Sequence, residues 1–184
     1  MTLELTPHPS TPCRAVDRIE VDVSRLQRSL VLCFTLYGDL SDVKGLPATG
    51  TASTADRADE LWRTTCLEAF VGPADASQYL ELNLSPMGNW AAYQFSQYRK
   101  GMAPADIPAP KLRVATQPAA LSLTAYVETP PDLPPSSPLR CGVSAVVQTQ
   151  DGAISYWALA HPPGKPDFHH DAGFAHILAP AEVS

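Results

Sequence analysis

The chain lacks the features that mark several large classes of protein. No apolar run approaches the ~20 residues needed to cross a bilayer, and there is no block rich in lysine and arginine. The formal net charge is -6 and the pI is about 5.2, which argues against nucleic acid or an anionic membrane surface as a partner. The opening residues, MTLELTPHPSTPC, show no basic stretch followed by an apolar one. Without a visible secretion signal, we expect a cytoplasmic protein.

Cysteine pairs at metal-binding spacing are also absent. Cys13, Cys33, Cys66 and Cys141 are widely separated and form no C-x-x-C pair. A structural zinc site and a c-type haem attachment are therefore not expected. Three of the cysteines fall in strand-like segments, where a free cysteine packs as a small hydrophobe. We expect reduced cysteines, although two disulfides are formally possible.

Helical periodicity is scarce, whereas proline is abundant. Of the 184 residues, 19 are proline, about twice the average usage. Proline is rare in helix interiors and central strands, so a helical bundle is excluded and an all-β domain of short strands is predicted. Residues 1–14 are expected to form a flexible N-terminal arm, and residues 15–184 a single β-sandwich domain.

The clearest strand pattern lies at residues 79–98. Leucines alternate with polar residues along Tyr79–Ser85, and a proline–glycine turn precedes the next strand. A turn of four residues places Glu81 opposite Gln94 and Asn83 opposite Ala92. This register predicts a leucine wall on one face and a second, polar and aromatic face that carries Glu81, Asn83, Gln94, Trp90 and Tyr98.

The composition of this second face suits a polyhydroxylated ligand. Aromatic rings cover C–H surfaces, and carboxylates and amides bind hydroxyl groups. The alternative is that the rings pack under a loop and the polar groups are only hydrated. Further alternating stretches predict hairpins at residues 111–128 and 140–161. Residues 38–59 predict a long loop that crosses between sheets.

The strand predicted at Leu61–Val71 adds Glu68 to the candidates. One pairing register places Glu68 opposite Glu81, where two like charges repel unless a ligand, a cation or a shared proton relieves them. The other register places it opposite Leu82 on the leucine wall, which is costly for an ionised carboxylate. We favour the first register; an exposed edge position is the alternative.

Four of the five histidines lie in residues 161–176, HPPGKPDFHHDAGFAH. The spacing does not match a helical H-x-x-x-H motif, and adjacent His169 and His170 rarely bind one metal together. No metal site is predicted. The loop either lends one or two groups to a pocket or packs as a purely structural element.

Four motifs together resemble the bacterial DOMON-like domain family, which is related to the family 9 carbohydrate-binding modules: ADELWRTTCLEAFVG, YLELNLSPMGNWAAYQF, YRKGM and HPPGKPDFHH. The resemblance spans roughly Arg57–Phe174. It implies an immunoglobulin-like antiparallel β-sandwich in which tryptophans hold a sugar while charged and amide side chains bind its hydroxyls. Secreted appendages of glycosidases make up most of those modules, whereas no signal is visible here.

Carried over by position, the resemblance implies Trp62 and Trp90 as ring platforms. Glutamate and asparagine side chains become the hydroxyl partners, Arg57 is a weaker candidate, and three residues match the late motif. The predicted ligand-binding set is Arg57, Trp62, Glu68, Glu81, Asn83, Trp90, Gln94, Lys165, Asp167 and His169.

The leading hypothesis is a non-catalytic module that binds a carbohydrate or a similar small polar ligand. A structural or protein-binding sandwich is the first alternative. An enzyme with Glu68 and Glu81 as an acid/base pair is the second; no G-x-S-x-G, P-loop or zinc signature supports it, and no catalytic residue is assigned.

No cofactor is expected. Some DOMON relatives are cytochromes with Met and His axial ligands, so the resemblance also implies haem as a further alternative. Met87 or Met102 would then pair with His161 or His169.

Overall fold

The computed structural model of the protein describes residues 2–47 and 56–181. These residues contain strands and three short 3-10 turns, at Leu40–Asp42, Leu61–Arg63 and Asp171–Gly173. No helix in these ranges is long and apolar enough to span a membrane. The strands are β1 (Thr2–Pro7), β2 (Arg18–Leu26), β3 (Ser29–Tyr37), β4 (Asp56–Arg57), β5 (Cys66–Pro73), β6 (Tyr79–Leu84), β7 (Asn89–Phe95), β8 (Ala103–Pro104), β9 (Lys111–Gln117), β10 (Ala120–Glu128), β11 (Leu139–Gln148), β12 (Ile154–Ala158) and β13 (His176–Leu178).

These strands form one continuous curled sheet in the order β4-β7-β6-β5-β11-β12-β1-β2-β3-β10-β9, with β8 on β7 and β13 on β11. The first strand joins the two halves, because Leu5 lies opposite Ile19 in β2 while Thr6 lies opposite Ala158 in β12. The all-β prediction is confirmed, as are the hairpins β9–β10 and β11–β12. The immunoglobulin-like sandwich is not confirmed, because β1 links the two halves through its backbone.

The first strand also differs from the flexible arm expected for residues 1–14. Thr2–Pro7 pairs on both sides, and Leu5 is only 2% exposed. Leu3 and Leu5 alternate with polar residues, which is the pattern of a half-buried strand. Pro7 falls at the end of the strand, where the missing N–H costs little. The flanking prolines therefore do not keep this segment from pairing.

The two halves pack their inner faces together in one core. Phe34 of β3 and Leu123 of β10 meet Leu82 of β6 and Val143 of β11 in a single buried cluster. Each residue belongs to the apolar row of an alternating strand, so burial follows from the two-residue period. The predicted crossing loop at 38–59 leads from one half to the other, and its residues 48–55 lie outside the described ranges.

The half-sheet of β5, β6, β7, β11 and β12 is also covered on its outer face. Every residue of β5 and β6 is buried. A second buried cluster, which is largely aromatic and includes Phe70, Tyr79, Phe95 and Phe174, lies on this outer side. Polar residues of the outer rows are consequently buried as deeply as the leucines of the inner rows.

The β6–β7 hairpin has a register one residue away from the predicted one. Glu81 lies opposite Tyr93, and Leu84 lies opposite Trp90. The turn explains the slip: the Ser85 N–H donates to the Asn89 carbonyl at 2.8 Å, so the loop has three residues and ends on Gly88 at φ +93°. A one-residue slip moves every side chain of one strand to the other face.

Trp90 and Gln94 are therefore placed incorrectly by the sequence prediction. Trp90 is 5% exposed and packs in the inner core with Leu82. Gln94 points to the same side but is exposed near the strand end. Tyr93 and Phe95, the two strand neighbours of Gln94, lie on the outer face instead.

The β5–β6 pairing confirms the favoured face for Glu68 but not the partner. Glu68 lies opposite Asn83, and Phe70 lies opposite Glu81. The two glutamates thus share the outer face on a diagonal, two residues from direct opposition. The residues around Trp62 form a 3-10 turn at Leu61–Arg63, and the strand begins only at Cys66.

Candidate functional site

A cavity of about 600 Å³ lies on the outer face of the covered half-sheet; we call it the outer cavity. Its floor is the sheet itself, with Glu68, Phe70 and Val146 among the floor residues. Its sides come from three separate segments: the turn before β5, the loop after β7, and the late loop at residues 161–176. The side residues are Trp62, Arg99, Met102, Lys165, Pro166, Phe168 and His169.

Two glutamates lie in the floor, and both are buried. Glu68 is 3% exposed and Glu81 is 5% exposed. The Ser144 hydroxyl donates to Glu68 Oε2 at 3.5 Å, whereas Glu68 Oε1 has no hydrogen-bond partner in the described part of the chain. Asn83 Nδ2 donates to Glu81 Oε1 at 2.7 Å, and Asn83 Oδ1 accepts the Cys66 thiol at 3.7 Å. Asn83, two residues along the same face of β6, therefore orients Glu81.

Burial raises the pKa of both carboxyl groups. For Glu68 the loss of solvation acts first and the nearby charge of Glu81 adds to it, so its pKa lies well above the ordinary glutamate value. The pKa of Glu81 is also raised by burial, although the hydrogen bond from Asn83 and the charge of Arg99 act against the shift. Both groups thus hold a proton at a higher pH than an exposed glutamate does.

His169 connects this floor to the late loop. Its Nδ1 lies 2.8 Å from the Tyr79 hydroxyl, and its Nε2 lies 3.8 Å from Glu81 Oε2. Burial, followed by the charge of Arg99, lowers the pKa of His169 to about 4. The imidazole is therefore neutral at neutral pH, and its contact with Glu81 is a polar contact between a neutral ring and a carboxyl group, not an ion pair.

Asp167 fastens the late loop beside the cavity. Its Oδ1 accepts Arg99 Nη2 at 2.7 Å and Nε at 3.2 Å, and its Oδ2 accepts the Tyr98 hydroxyl at 2.5 Å. Burial alone would raise the pKa of Asp167, but these hydrogen bonds and the guanidinium charge lower it overall. The same pairing neutralises Arg99, which is one of the two cationic residues that line the cavity.

Aromatic rings form much of the remaining lining. Trp62 meets Tyr93 edge to face with ring centroids 5.8 Å apart, and Tyr156 meets Phe168 in the same manner at 5.9 Å. Trp62, Tyr156 and Phe168 are only half-buried. Their exposed ring surface faces the cavity that they line.

The structure brings five of the ten predicted ligand-binding residues to the outer cavity, and two more support it. The lining residues are Trp62, Glu68, Glu81, Lys165 and His169. Asn83 donates a hydrogen bond to Glu81, and Asp167 holds the loop through Arg99. Three do not join the site: Trp90 and Gln94 as described above, and Arg57. The guanidinium of Arg57 lies 5.3 Å from the Trp90 ring centroid and donates to the Ala92 carbonyl at 2.9 Å, at the sheet edge.

Sequence reasoning missed several lining residues. Phe95 was lost through the register slip. Arg99 and Phe168 belong to the motifs YRKGM and HPPGKPDFHH, but neither was assigned a role, and Met102 was named only as a possible haem ligand. Tyr156 alternates with Trp157 in β12, and that alternation is the signal that could have placed it on the outer face.

The haem alternative fits the cavity poorly. Met102 and His169 both line it, but the Nε2 atom of His169, the nitrogen that would bind the iron, lies 3.8 Å from Glu81 Oε2. A porphyrin lying on this floor would cover two buried carboxyl groups with an apolar macrocycle that offers them no hydrogen-bond donor. Met87 lies in the β6–β7 turn, and His161 packs against His8. Among the described residues, no cluster of three or more metal-ligating side chains occurs.

Comparison with known proteins gives a likeness of fold. No family model matches the chain, and no curated protein matches it significantly. Among solved structures, a "putative carbohydrate-binding protein" from Bacteroides uniformis ATCC 8492 superposes with a TM-score of 0.63 at 13% identity, covering 94% of this chain and 82% of that one. A family 9 carbohydrate-binding module from Caldicellulosiruptor kristjanssonii, solved with cellotriose, superposes with a TM-score of 0.52 at 9% identity, covering 88% and 75%. At these identities the likeness concerns the fold.

Proposed function

We propose that the protein is a non-catalytic module that binds a small carbohydrate in the outer cavity. The observation that carries the proposal is the composition of that cavity: two buried carboxyl groups form part of its floor, and half-buried aromatic rings stand around them. A sugar presents the complementary groups: hydroxyl groups on its edges, which carboxyl groups bind, and C–H groups on its ring faces, which aromatic rings cover.

The dimensions and the donor set agree with this assignment. Ligand cavities span roughly 300–1,000 Å³, and a cavity of about 600 Å³ suits a mono- or disaccharide. A protonated carboxyl both donates and accepts hydrogen bonds, whereas an ionised one only accepts. Burial shifts Glu68 and Glu81 toward the protonated form, and a carboxyl group in that form can meet a hydroxyl group in either direction.

The fold likeness supports the proposal independently of the cavity. A family 9 module with a similar fold was solved with cellotriose. The expected platform formed by Trp90 has no part in our proposal, because that ring is in the inner core. Trp62, Tyr156 and Phe168 take the role of ring surfaces instead. Membership of the DOMON-like family, an immunoglobulin-like arrangement, the absence of a cofactor and a cytoplasmic location are proposals that rest on the sequence.

Titration calorimetry with glucose, cellobiose and cellotriose tests the proposal. We expect measurable binding to the wild-type protein, weakened about tenfold or more by Trp62→Ala because a half-buried ring surface is lost. Tyr126→Ala is the matched control, since Tyr126 is an exposed ring on β10, in the other half of the sheet. Absence of binding to any saccharide, or equal losses in both variants, would reject the proposal.

A further inference from the structure

The charges around the outer cavity are unevenly compensated. Arg99 is neutralised by Asp167 at 2.7 Å, and His169 is neutral at neutral pH because its pKa is about 4. Lys165 is exposed at the rim, where solvent screens its charge. In residues 2–47 and 56–181, neither Glu68 nor Glu81 forms an ion pair with a lysine or an arginine. The floor therefore holds two acidic groups and no cation bound to them.

Glu68 carries the sharper signal of the two. It is 97% buried, since 3% of its surface is exposed, and it lines the cavity. Its Oε1 atom has no hydrogen-bond partner within the described residues. An unpaired buried carboxyl oxygen costs free energy, and a ligand donor that reached it would recover that cost.

The aromatic lining favours a positively charged donor. Rings attract cations placed over their faces, and the attraction grows when the site is shielded from water. Trp62, Phe70 and Phe95 line the cavity together with both glutamates, and Tyr156 and Phe168 complete the set. Carboxyl groups beside aromatic rings therefore suit an ammonium group, which interacts favourably with both.

We propose that the saccharide bound in the outer cavity carries a protonated amine, as a hexosamine does, and that its ammonium group binds at Glu68 and Glu81 among the aromatic rings. This inference rests on the proposed function and narrows its ligand class. The cationic residues Arg99 and Lys165 lie at the edge of the cavity, whereas the two glutamates lie in its floor. The single positive charge of the ligand is therefore placed at the floor.

Binding of an ammonium group has a proton balance that can be measured. The raised pKa values of Glu68 and Glu81 arise from burial and, for Glu68, from the charge of its neighbour. A cation between the two carboxyl groups favours their ionised forms and so lowers both pKa values. A carboxyl group that is protonated in the free protein then releases its proton to the buffer as the ammonium binds. The other titratable groups that face the pair are Cys66, Tyr79, His169, Arg99 and Lys165.

The test compares methyl glucosaminide, methyl N-acetylglucosaminide and methyl glucoside by calorimetry on the full chain, at a pH where the free amine is protonated. We expect the glucosaminide to bind about tenfold more tightly than the glucoside. Repeating the titration in two buffers of different ionisation enthalpy should show proton release for the glucosaminide alone. Glu68→Gln should remove the preference, and Glu128→Gln, an exposed glutamate on β10, should keep it.

The outcomes separate the two proposals. Equal binding of the glucosaminide and the glucoside overturns the ammonium inference and leaves the carbohydrate function intact. No binding of any of the three sugars overturns both. Methylammonium that binds as tightly as the glucosaminide also overturns the inference, because the sugar would then add nothing. If Glu68→Gln does not fold, the comparison of the sugars on the wild-type protein still decides.

Discussion

The two faces of the β5–β6–β7 sheet are equally buried but differ in chemistry. On the inner face, Leu82 and Trp90 pack in an apolar core. On the outer face, Glu68 and Glu81 are buried beside aromatic rings with few polar partners. Trp90 and Trp62 show the same contrast, because Trp90 is buried in the core and Trp62 is half-buried at the cavity. Burial alone therefore does not separate core from site; incomplete polar satisfaction does.

The largest expected effect is the difference in stability between the variants Trp90→Ala and Trp62→Ala. Trp90→Ala should lower the free energy of unfolding by about 3–5 kcal/mol, because it leaves a large hole in the inner core. Trp62→Ala should lower it far less while weakening saccharide binding. Urea unfolding of both variants, combined with calorimetry, makes the comparison. A Trp90→Ala variant that is fully stable but fails to bind sugar would place Trp90 in the site and contradict the observed register.

The second expected effect is a pH dependence of stability that arises from Glu68 on the outer face. The pKa of Glu68 is raised in the folded protein, so its contribution to stability is present below the ordinary value of 4.5 and is lost as pH rises through the folded pKa. The wild-type protein should therefore lose stability relative to Glu68→Gln as pH rises from 4.5. His169 acts in the opposite direction below its ordinary value of 6.5, but it is present in both proteins and cancels in the difference.

Urea unfolding of the wild-type protein and Glu68→Gln at several pH values measures this difference. Leu82→Met, on the inner face of β6, is the matched control, because it changes a buried side chain of similar volume without a titratable group. A difference between wild type and Glu68→Gln that does not change with pH would show that Glu68 is not perturbed by burial.

A smaller effect is expected where the late loop is fastened. Asp167→Asn removes the charge of the pair with Arg99, whose side chain is half exposed, so the free energy of unfolding should fall by no more than about 1 kcal/mol. The loss of saccharide binding free energy should exceed the loss of unfolding free energy, because Lys165, Phe168 and His169 are positioned by the same loop. Arg18→Gln, which breaks an exposed pair with Glu20, controls for a general surface-charge effect. Binding unchanged in Asp167→Asn would separate the loop from the site.

The smallest effect distinguishes neighbours on opposite faces of β7. Gln94→Ala should change stability by less than about 0.5 kcal/mol and leave saccharide binding unchanged, since the side chain is exposed and lies away from the outer cavity. Phe95→Leu should weaken binding, because Phe95 lines the cavity. Calorimetry on the two variants makes this comparison. The reverse result, with Gln94→Ala weakened and Phe95→Leu unaffected, would restore the register predicted from the sequence.

Alternation along the strands was enough to predict much of this architecture. It placed Leu82 on a buried wall and the β9–β10 and β11–β12 hairpins along the chain. These features depend only on the two-residue period of a strand, which is written directly in the sequence. Alternation alone left two registers open for Glu68; the favoured one gave the correct face but the wrong partner, because Glu68 lies opposite Asn83.

The parts that failed depend on backbone geometry that letters do not specify. Turns of three and four residues both fit Pro86–Asn89, and only the bond from Ser85 to Asn89 shows that the loop is the shorter one. Because the loop is one residue shorter than predicted, Trp90 and Gln94 lie on the inner face and Phe95 lies on the outer face. The position of Phe168 against Tyr156 depends on packing between two separate segments, which no local pattern encodes.

The most direct test of the central claim follows the glutamate carboxyl groups themselves. In protein labelled with ¹³C at glutamate carboxyls, two signals should be assignable through Glu68→Gln and Glu81→Gln. Addition of a saccharide that binds should shift those two signals and leave the signals of exposed glutamates such as Glu4 and Glu128 in place. Shifts confined to other glutamates, or no shift at saturating sugar, would contradict binding in the outer cavity.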